Sequence, residues 1–276
     1  MASRETRNGD RGGLQDRSAG RLGRAIGFIR ERGPLEPLRL VRRHGIAESG
    51  RFVLRNVRHV VADRLARNWD RKYGVDTAGS IRLDSLDVVG PNRDKGNECV
   101  CTSPKSFRFI MKNLPSNLSD YTFIDIGSGK SRTLLLASHY PFRAVVGVEF
   151  ARELVEIARR NVEQYRDPEQ KCRAIFVVEA DATTYDFPET PLLVYFYNPF
   201  SKDLFDIVLG NLVSSLERYP RGCFVVYGSS SHRAIDWARP AIRETGVFDE
   251  LNVPPMPHFL DAVRTIDYAV FRYRRA

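Results

Sequence analysis

Phe123-Ile124-Asp125-Ile126-Gly127-Ser128-Gly129-Lys130-Ser131-Arg132 is the stretch whose reading decides the fold. The apolar run Thr122–Ile126 ends in two glycines one residue apart, and a helical pattern starts at Arg132. A buried strand, a tight turn and a helix therefore follow one another. Glycines in that turn let the backbone approach a ligand closely, and the helix N-terminus adds the positive end of its dipole. Spacing separates the nucleotide sites that use such a turn. A dinucleotide fingerprint needs a third glycine at 132, where Arg132 stands. A phosphate-binding P-loop accepts Gly129-Lys130-Ser131 as its end but needs glycine at 124, where Ile124 stands. The remaining reading turns on Asp125, two residues before the first glycine. A carboxylate there repels phosphates and suits a ligand with an ammonium group.

Beyond this stretch, short apolar runs alternate with helical segments. The expected strands are Thr122–Ile126, Ala144–Val148, Ala174–Val178, Leu192–Tyr197 and Cys223–Tyr227, with late ones near Phe248–Val253 and Ile266–Tyr273. The expected helices are Arg132–Ser138, Arg152–Tyr165, Leu204–Glu217 and Ala234–Thr245. This alternation implies an α/β fold with a mostly parallel sheet covered on both faces. The last two strands lack a helix between them, which points to an antiparallel pair at one edge.

Two further acids stand at strand ends. Glu149 closes Val146-Gly147-Val148-Glu149-Phe150, 24 residues after Asp125. A carboxylate there can accept both ribose hydroxyls, a device NAD sites share. The third strand runs into Glu179-Ala180-Asp181-Ala182. Asp181 suits an adenine amino group, and the adjacent backbone N–H of Ala182 a ring nitrogen. Three acids at successive strand ends, behind a G-x-G turn, fit an amino-acid nucleoside such as S-adenosylmethionine. Each acid taken singly reads equally well as a helix cap or a solvated loop residue.

Residues 121–197 resemble a class I S-adenosylmethionine-dependent methyltransferase. FIDIGSGKS resembles the first motif of that family, VVGVEF its second and EADA its adenine-contact motif. The resemblance implies a Rossmann-like, doubly wound sheet of seven strands with the last one antiparallel. It also implies cofactor contacts from Asp125, Gly127, Ser128, Gly129, Glu149, Phe150, Asp181 and Ala182. IDIGSGKSRTLLLAS and VGVEF are most similar to the lysine methyltransferases of the disruptor-of-telomeric-silencing type and their bacterial relatives. Ser131 departs from the pattern, occupying a place where many members carry a third glycine.

The fourth strand ends in Tyr195-Phe196-Tyr197-Asn198-Pro199-Phe200, similar to the [DN]-P-P-[YF] motif of amino-group methyltransferases with one proline missing. A carbonyl of Asn198 can accept the N–H bond of an acceptor amine and aim its lone pair. Pro199 restrains the chain, and Tyr197 or Phe200 can stabilise developing positive charge through a π face. The alternative is a plain turn with core aromatics. No dedicated base stands out. His232, expected in the loop after the fifth strand, is one candidate, and Lys202 and Asp203 flank the same mouth. Cys99 to Phe107 is placed to cover the methionine end, with Thr102 or Ser103 toward the cofactor carboxylate, and residues 73–77 can join this lid. Cys99 and Cys101 have no second Cys/His pair at a metal-binding spacing, so no metal is expected.

Residues 1–72 hold 18 Lys+Arg against 8 Asp+Glu, and 17 of the 18 are Arg. The rest carries 25 against 26, so the net charge of +9 belongs to the N-terminal quarter. Residues 1–20 read as a disordered tail, 21–98 as a basic helical N-terminal extension and 99–276 as the methyltransferase domain. Within the extension, helices are expected near Arg21–Ile29 and Arg51–Arg71, and a short strand within Leu83–Val89. Residues 21–72 offer a basic face to a nucleic acid or ribosome, or simply to solvent. Beside transfer to an amino nitrogen two alternatives stand: a methyltransferase directed at a small molecule or a hydroxyl oxygen, and a nucleic-acid-binding protein acting through this arm. The longest apolar run, Leu192–Tyr197, falls far short of the roughly 20 residues of a membrane span. Four cysteines in 276 residues, with no signal-peptide pattern in residues 1–20, lead to the expectation of a cytoplasmic protein. The methyl acceptor is expected to be a protein or a small molecule.

Overall fold

A computed structural model describes residues 61, 63–79, 81, 86–88, 90–92, 95–97, 101–114, 117–229, 232–257 and 266–274, with backbone alone at 232–234. The tail at 1–20, the helix expected near 21–29, most of 51–62 and Cys99 lie outside the described residues. Residues 63–73 form a helix that ends at Gly74, whose φ of 67° gives the left-handed turn that stops helices.

The centre is one seven-stranded sheet. Its strands are β1 (Thr122–Ile126), β2 (Ala144–Glu149), β3 (Ile175–Glu179), β4 (Leu192–Tyr197), β5 (Cys223–Ser229), β6 (Phe248–Glu250) and β7 (Asp267–Tyr273). Their order is β3-β2-β1-β4-β5-β7-β6. β1 to β5 run parallel, and β7 lies antiparallel between β5 and β6. β1, β2, β4 and β5 are buried almost throughout, which their Val-, Leu- and Phe-rich runs require. Alternate residues feed two cores. Ile124, Val146, Val194 and Val225 pack on the helices Lys202–Arg218 and His232–Glu244. Phe123, Val145, Leu193 and Val226 face the other side, against the helices Pro104–Lys112 and Arg132–Ala137. Pro104 starts its helix where the missing N–H costs nothing, and Phe107, Ile110 and Met111 form the buried stripe.

The chain moves outward from β1 through β2 to β3, then returns to β4 on the far side of β1. Such a reversal leaves a crevice at the carboxyl ends of β1 and β4, where ligands of open α/β sheets bind. The expected fold class is therefore the observed one. Some details differ. β5 runs on to Ser229, β6 stops at Glu250, and the helix expected from Ala234 begins at His232, which therefore opens a helix instead of lying in a loop. In the stretch expected to hold a strand, Val88 makes a single antiparallel bridge to Ala151, and 82–85 and 89 lie outside the described residues.

Candidate functional site

The glycine turn is pressed from two sides. Gly127 has φ 77°, and a Cβ there would lie 2.6 Å from Pro199 Cβ. A Cβ on Gly147, beneath the turn, would lie 2.6 Å from Ser128 Oγ and from Leu134 Cδ1. The amides of Gly127 and Ser128 donate to the Val148 carbonyl at 2.9 and 3.1 Å. Ser131 has φ 67°, a left-handed conformation more usual for glycine. Ser128 Oγ and Ser131 Oγ are buried without a hydrogen-bond partner among the described residues, and Ser128 borders the cleft.

The cleft holds about 940 Å3, counting its open mouth. It brings together Thr102, Asp125, Gly127, Ser128, Gly129, Glu149, Phe150, Asp181, Ala182, Tyr197, Asn198, Pro199 and Phe200, whereas Ser103, Lys202 and Asp203 do not line it. Asp125 is 3% exposed, and burial pushes its carboxyl from 3.8 up to about 8, with the Glu149 charge adding and the Thr133 hydroxyl opposing. Glu149 is also raised by burial, although Oε2 accepts from Gly129 N at 2.8 Å and Oε1 accepts from Phe150 N and Ala151 N at 2.9 Å. Three of its roughly four lone-pair positions serve backbone, so Glu149 braces the glycine turn and keeps one acceptor for a ligand. Asp181 caps the short 3-10 turn Ala182–Thr184. Its Oδ1 accepts from Thr183 N at 2.9 Å and Oγ1 at 2.7 Å, and its Oδ2 from Asn92 Nδ2 at 2.8 Å. Thr102 is buried, with Oγ1 3.4 Å from both Tyr195 Oη and Thr133 Oγ1.

Lys130 and Arg132 border the same cleft but are directed elsewhere. Lys130 Nζ donates to Asp76 Oδ1 and to the Ala78 carbonyl, both at 2.8 Å. Arg132 Nε donates to Thr77 Oγ1 at 2.5 Å and its Nη2 to Asp70 Oδ1 at 2.7 Å, and its guanidinium lies 4.8 Å from the Trp69 ring. Lys130 and Arg132 thus hold residues 70–78 against the sheet, and the cleft is left with two desolvated carboxyls. A cationic ligand would satisfy that electrostatic deficit, and a polyphosphate would worsen it.

At the β4 end, Asn198 has φ 45°. Its carbonyl accepts from Asn97 Nδ2 at 2.9 Å, and its Oδ1 from the Tyr227 hydroxyl at 3.3 Å. Phe200 is buried in the core on the cleft wall. Asp203 pairs with Lys95, and Lys202 with Asp206, so both mouth charges are engaged. The side chain of His232 lies outside the described residues. Sequence reasoning missed Asn92, Asn97 and Tyr227. They carry no local motif, and only pairing with residues 89 to 101 positions away in the chain, or 29 in the case of Tyr227, brings them to the site. Among the described residues no cluster of metal-ligating side chains occurs, and no helix is long and apolar enough to cross a membrane. Cys172 and Cys223 are buried free thiols.

No family model matches the chain, and no curated protein does. Solved structures do. The precorrin-6y C5,15-methyltransferase from Geobacter metallireducens is 15% identical over 70% of this chain and 96% of its own, with a TM-score of 0.46. An RNA methyltransferase from Salinibacter ruber, in complex with S-adenosyl-L-homocysteine, is 17% identical over 63% and 92%, with a TM-score of 0.40. The glycopeptide N-methyltransferase MtfA, complexed with S-adenosyl-L-methionine, is 10% identical over 64% and 88%, with a TM-score of 0.48. At these identities the likeness is one of strand layout.

Proposed function

We propose that this chain is an S-adenosylmethionine-dependent methyltransferase acting on an amino nitrogen. The observation that carries the reading is the pair of desolvated carboxyls, Asp125 and Glu149, in a cleft whose bordering cations are bound elsewhere. The residues present fit that cofactor. Asp125 would take its ammonium group, Glu149 a ribose hydroxyl and Asp181 the adenine amino group. Gly127 leaves room for Pro199 to pack against the turn, and the Ser128 hydroxyl, without a partner among the described residues, supplies a further polar contact. Phe150 and Ala182 wall the nucleoside end, and Thr102 the methionine carboxylate end.

The bound cofactor supplies an electrophilic methyl group on a sulfonium centre. The chain contributes proximity, alignment and exclusion of water. Asn198 accepts an N–H bond and orients the acceptor lone pair. Pro199, packed on Gly127, ties that orientation to the cofactor turn. Tyr197 and Phe200 border the same space and favour a developing ammonium through their π faces. A protein lysine is the finer proposal for the acceptor, following the resemblance to the telomeric-silencing type.

Titration calorimetry with S-adenosylmethionine, ATP and NAD tests the cofactor. Binding of the first in clear preference is expected, and preference for ATP or NAD refutes the reading. Labelled methyl donor with fractionated lysate tests the acceptor. Label in protein, stable to base as a methylated amine, supports lysine. Label in RNA or small molecules reassigns the acceptor and leaves the enzyme class standing.

A further inference from the structure

Among the described residues two non-glycines have positive φ, Ser131 and Asn198, and both adjoin the cleft turn. Asn198 at φ 45° also precedes a proline, whose ring restricts the backbone before it. A conformation of this kind persists only where its surroundings over-determine it. Here they do so from three directions. From below, Pro199 sits where a Cβ on Gly127 would be. From the strap before the domain, Gly96 bridges Phe200, Ser201 N donates to the Lys95 carbonyl at 2.9 Å, and Asn97 N donates to the Pro199 carbonyl at 2.9 Å. Asn97 then adds its side chain, Nδ2 donating to the Asn198 carbonyl at 2.9 Å. From β5, the Tyr227 hydroxyl reaches Asn198 Oδ1 at 3.3 Å. Tyr227 is buried among Phe196, Phe205 and Trp237, which fixes its ring, and burial raises its pKa, so the hydroxyl stays protonated as a donor.

We propose that Asn97 and Tyr227 are positioning residues for methyl transfer: Asn97 fixes the main chain of Asn198 and Tyr227 fixes its side-chain amide. This rests on the methyltransferase reading above. Asn97 holds the carbonyl, so the peptide plane cannot rotate. Tyr227 occupies one lone pair of Oδ1 and leaves the other for an acceptor N–H. Neither residue needs to touch cofactor or acceptor. Asn97 is exposed and on the strap, so its loss leaves the core intact.

The test compares Asn97→Ala, Tyr227→Phe and the double variant with the wild-type chain. Cofactor Kd is read by calorimetry and transfer by the initial rate of label incorporation. The expected result is a rate lower by roughly tenfold or more in each single variant, with cofactor Kd and KM within about twofold of wild type. The double variant should lose less than the product of the two, because both residues hold one turn. Unchanged rates overturn the proposal. So does a rate that falls in step with cofactor affinity, which marks a wall of the cofactor site in place of an alignment device. If Tyr227→Phe fails to fold, Asn97→Ala decides alone. A wild-type chain that binds cofactor but labels nothing overturns the positioning role and spares the cofactor assignment, whereas a chain that binds no cofactor removes both.

Discussion

Replacing Asp125 by Asn should stabilise the unliganded protein and cripple cofactor binding, and the two effects should depend on pH in opposite ways. The folded carboxyl titrates at about 8 against an ordinary 3.8, because burial disfavours its charge. The folded chain therefore holds this proton more tightly than the unfolded chain does. Its contribution to stability is complete below pH 3.8 and is lost as pH rises to 8. Linkage gives a loss of about 4 kcal/mol by pH 7, with about 2 kcal/mol of the change falling between pH 6 and 8. For a chain of this size that interval corresponds to a fall in Tm of about 5–9 °C. An asparagine side chain cannot ionise, so the Asp125→Asn variant lacks this component, and the difference between the two Tm curves isolates it from His139 and Glu149.

Cofactor affinity should move the other way. An ammonium group in the cleft needs the carboxylate, so wild-type affinity should fall by up to about tenfold per pH unit below 8, with about 0.9 proton released per ligand bound at pH 7. The variant lacks the charged partner and should bind roughly 10- to 100-fold more weakly than wild type at pH 8. At pH 6 the two should converge, because wild-type Asp125 is itself protonated there. Scanning fluorimetry from pH 6 to 8, and calorimetry in two buffers of different ionisation enthalpy, read both quantities. Above pH 8 the ammonium of the ligand begins to deprotonate, which sets the upper limit of the comparison. Parallel Tm curves for the two chains, together with a wild-type Kd that ignores pH, would show that Asp125 is neither desolvated nor the cation partner.

Other substitutions probe the scaffold around the cleft. Asp70→Asn leaves the buried Arg132 guanidinium without its carboxylate, and breaking such a pair costs about 3–5 kcal/mol, seen as a Tm lower by roughly 10 °C. The same variant should also weaken the cofactor, because Asp70 accepts from Thr77 N and Ala78 N and so shapes the cleft wall; intact Tm and Kd would contradict the assigned bonds. Gly127→Ala adds about 1–2 kcal/mol of left-handed strain and a Cβ 2.6 Å from Pro199, so calorimetric heat with S-adenosylmethionine should vanish. Ser131→Gly removes similar strain at φ 67° and an unpartnered hydroxyl, against about 0.5–1 kcal/mol of added chain entropy in the unfolded state, so Tm should stay level or rise slightly, and a clear fall would mean that the hydroxyl has a partner.

The sheet was legible because its signal is local and repeated. Val-, Leu- and Phe-rich runs such as Leu192–Tyr197 are buried, and their alternation with helical segments points to strands of a covered parallel sheet. The gathering of acids at one sheet edge was legible for a related reason. Its acids sit on strand tips, so the topology that orders β1, β2 and β3 delivers Asp125, Glu149 and Asp181 to one edge without further folding information. The strap was not legible, because Asn92, Lys95 and Asn97 act through partners about 100 residues away, and an asparagine in a loop has no periodicity to betray its role. Lys130 and Arg132 show the same limit from the other side. Their place after a G-x-G turn invites a phosphate, and only their carboxylate partners Asp76 and Asp70 reveal that the charge is already neutralised within the chain. The consequence is chemical. Because those two cations are drawn away to residues 70–78, the cleft keeps an electrostatic deficit that a cation from outside must fill. On the proposed reading, selectivity for a sulfonium nucleoside over a phosphate-bearing one would depend on residues outside the strand-tip motifs, and it should weaken in any variant that releases Lys130 or Arg132 toward the cleft.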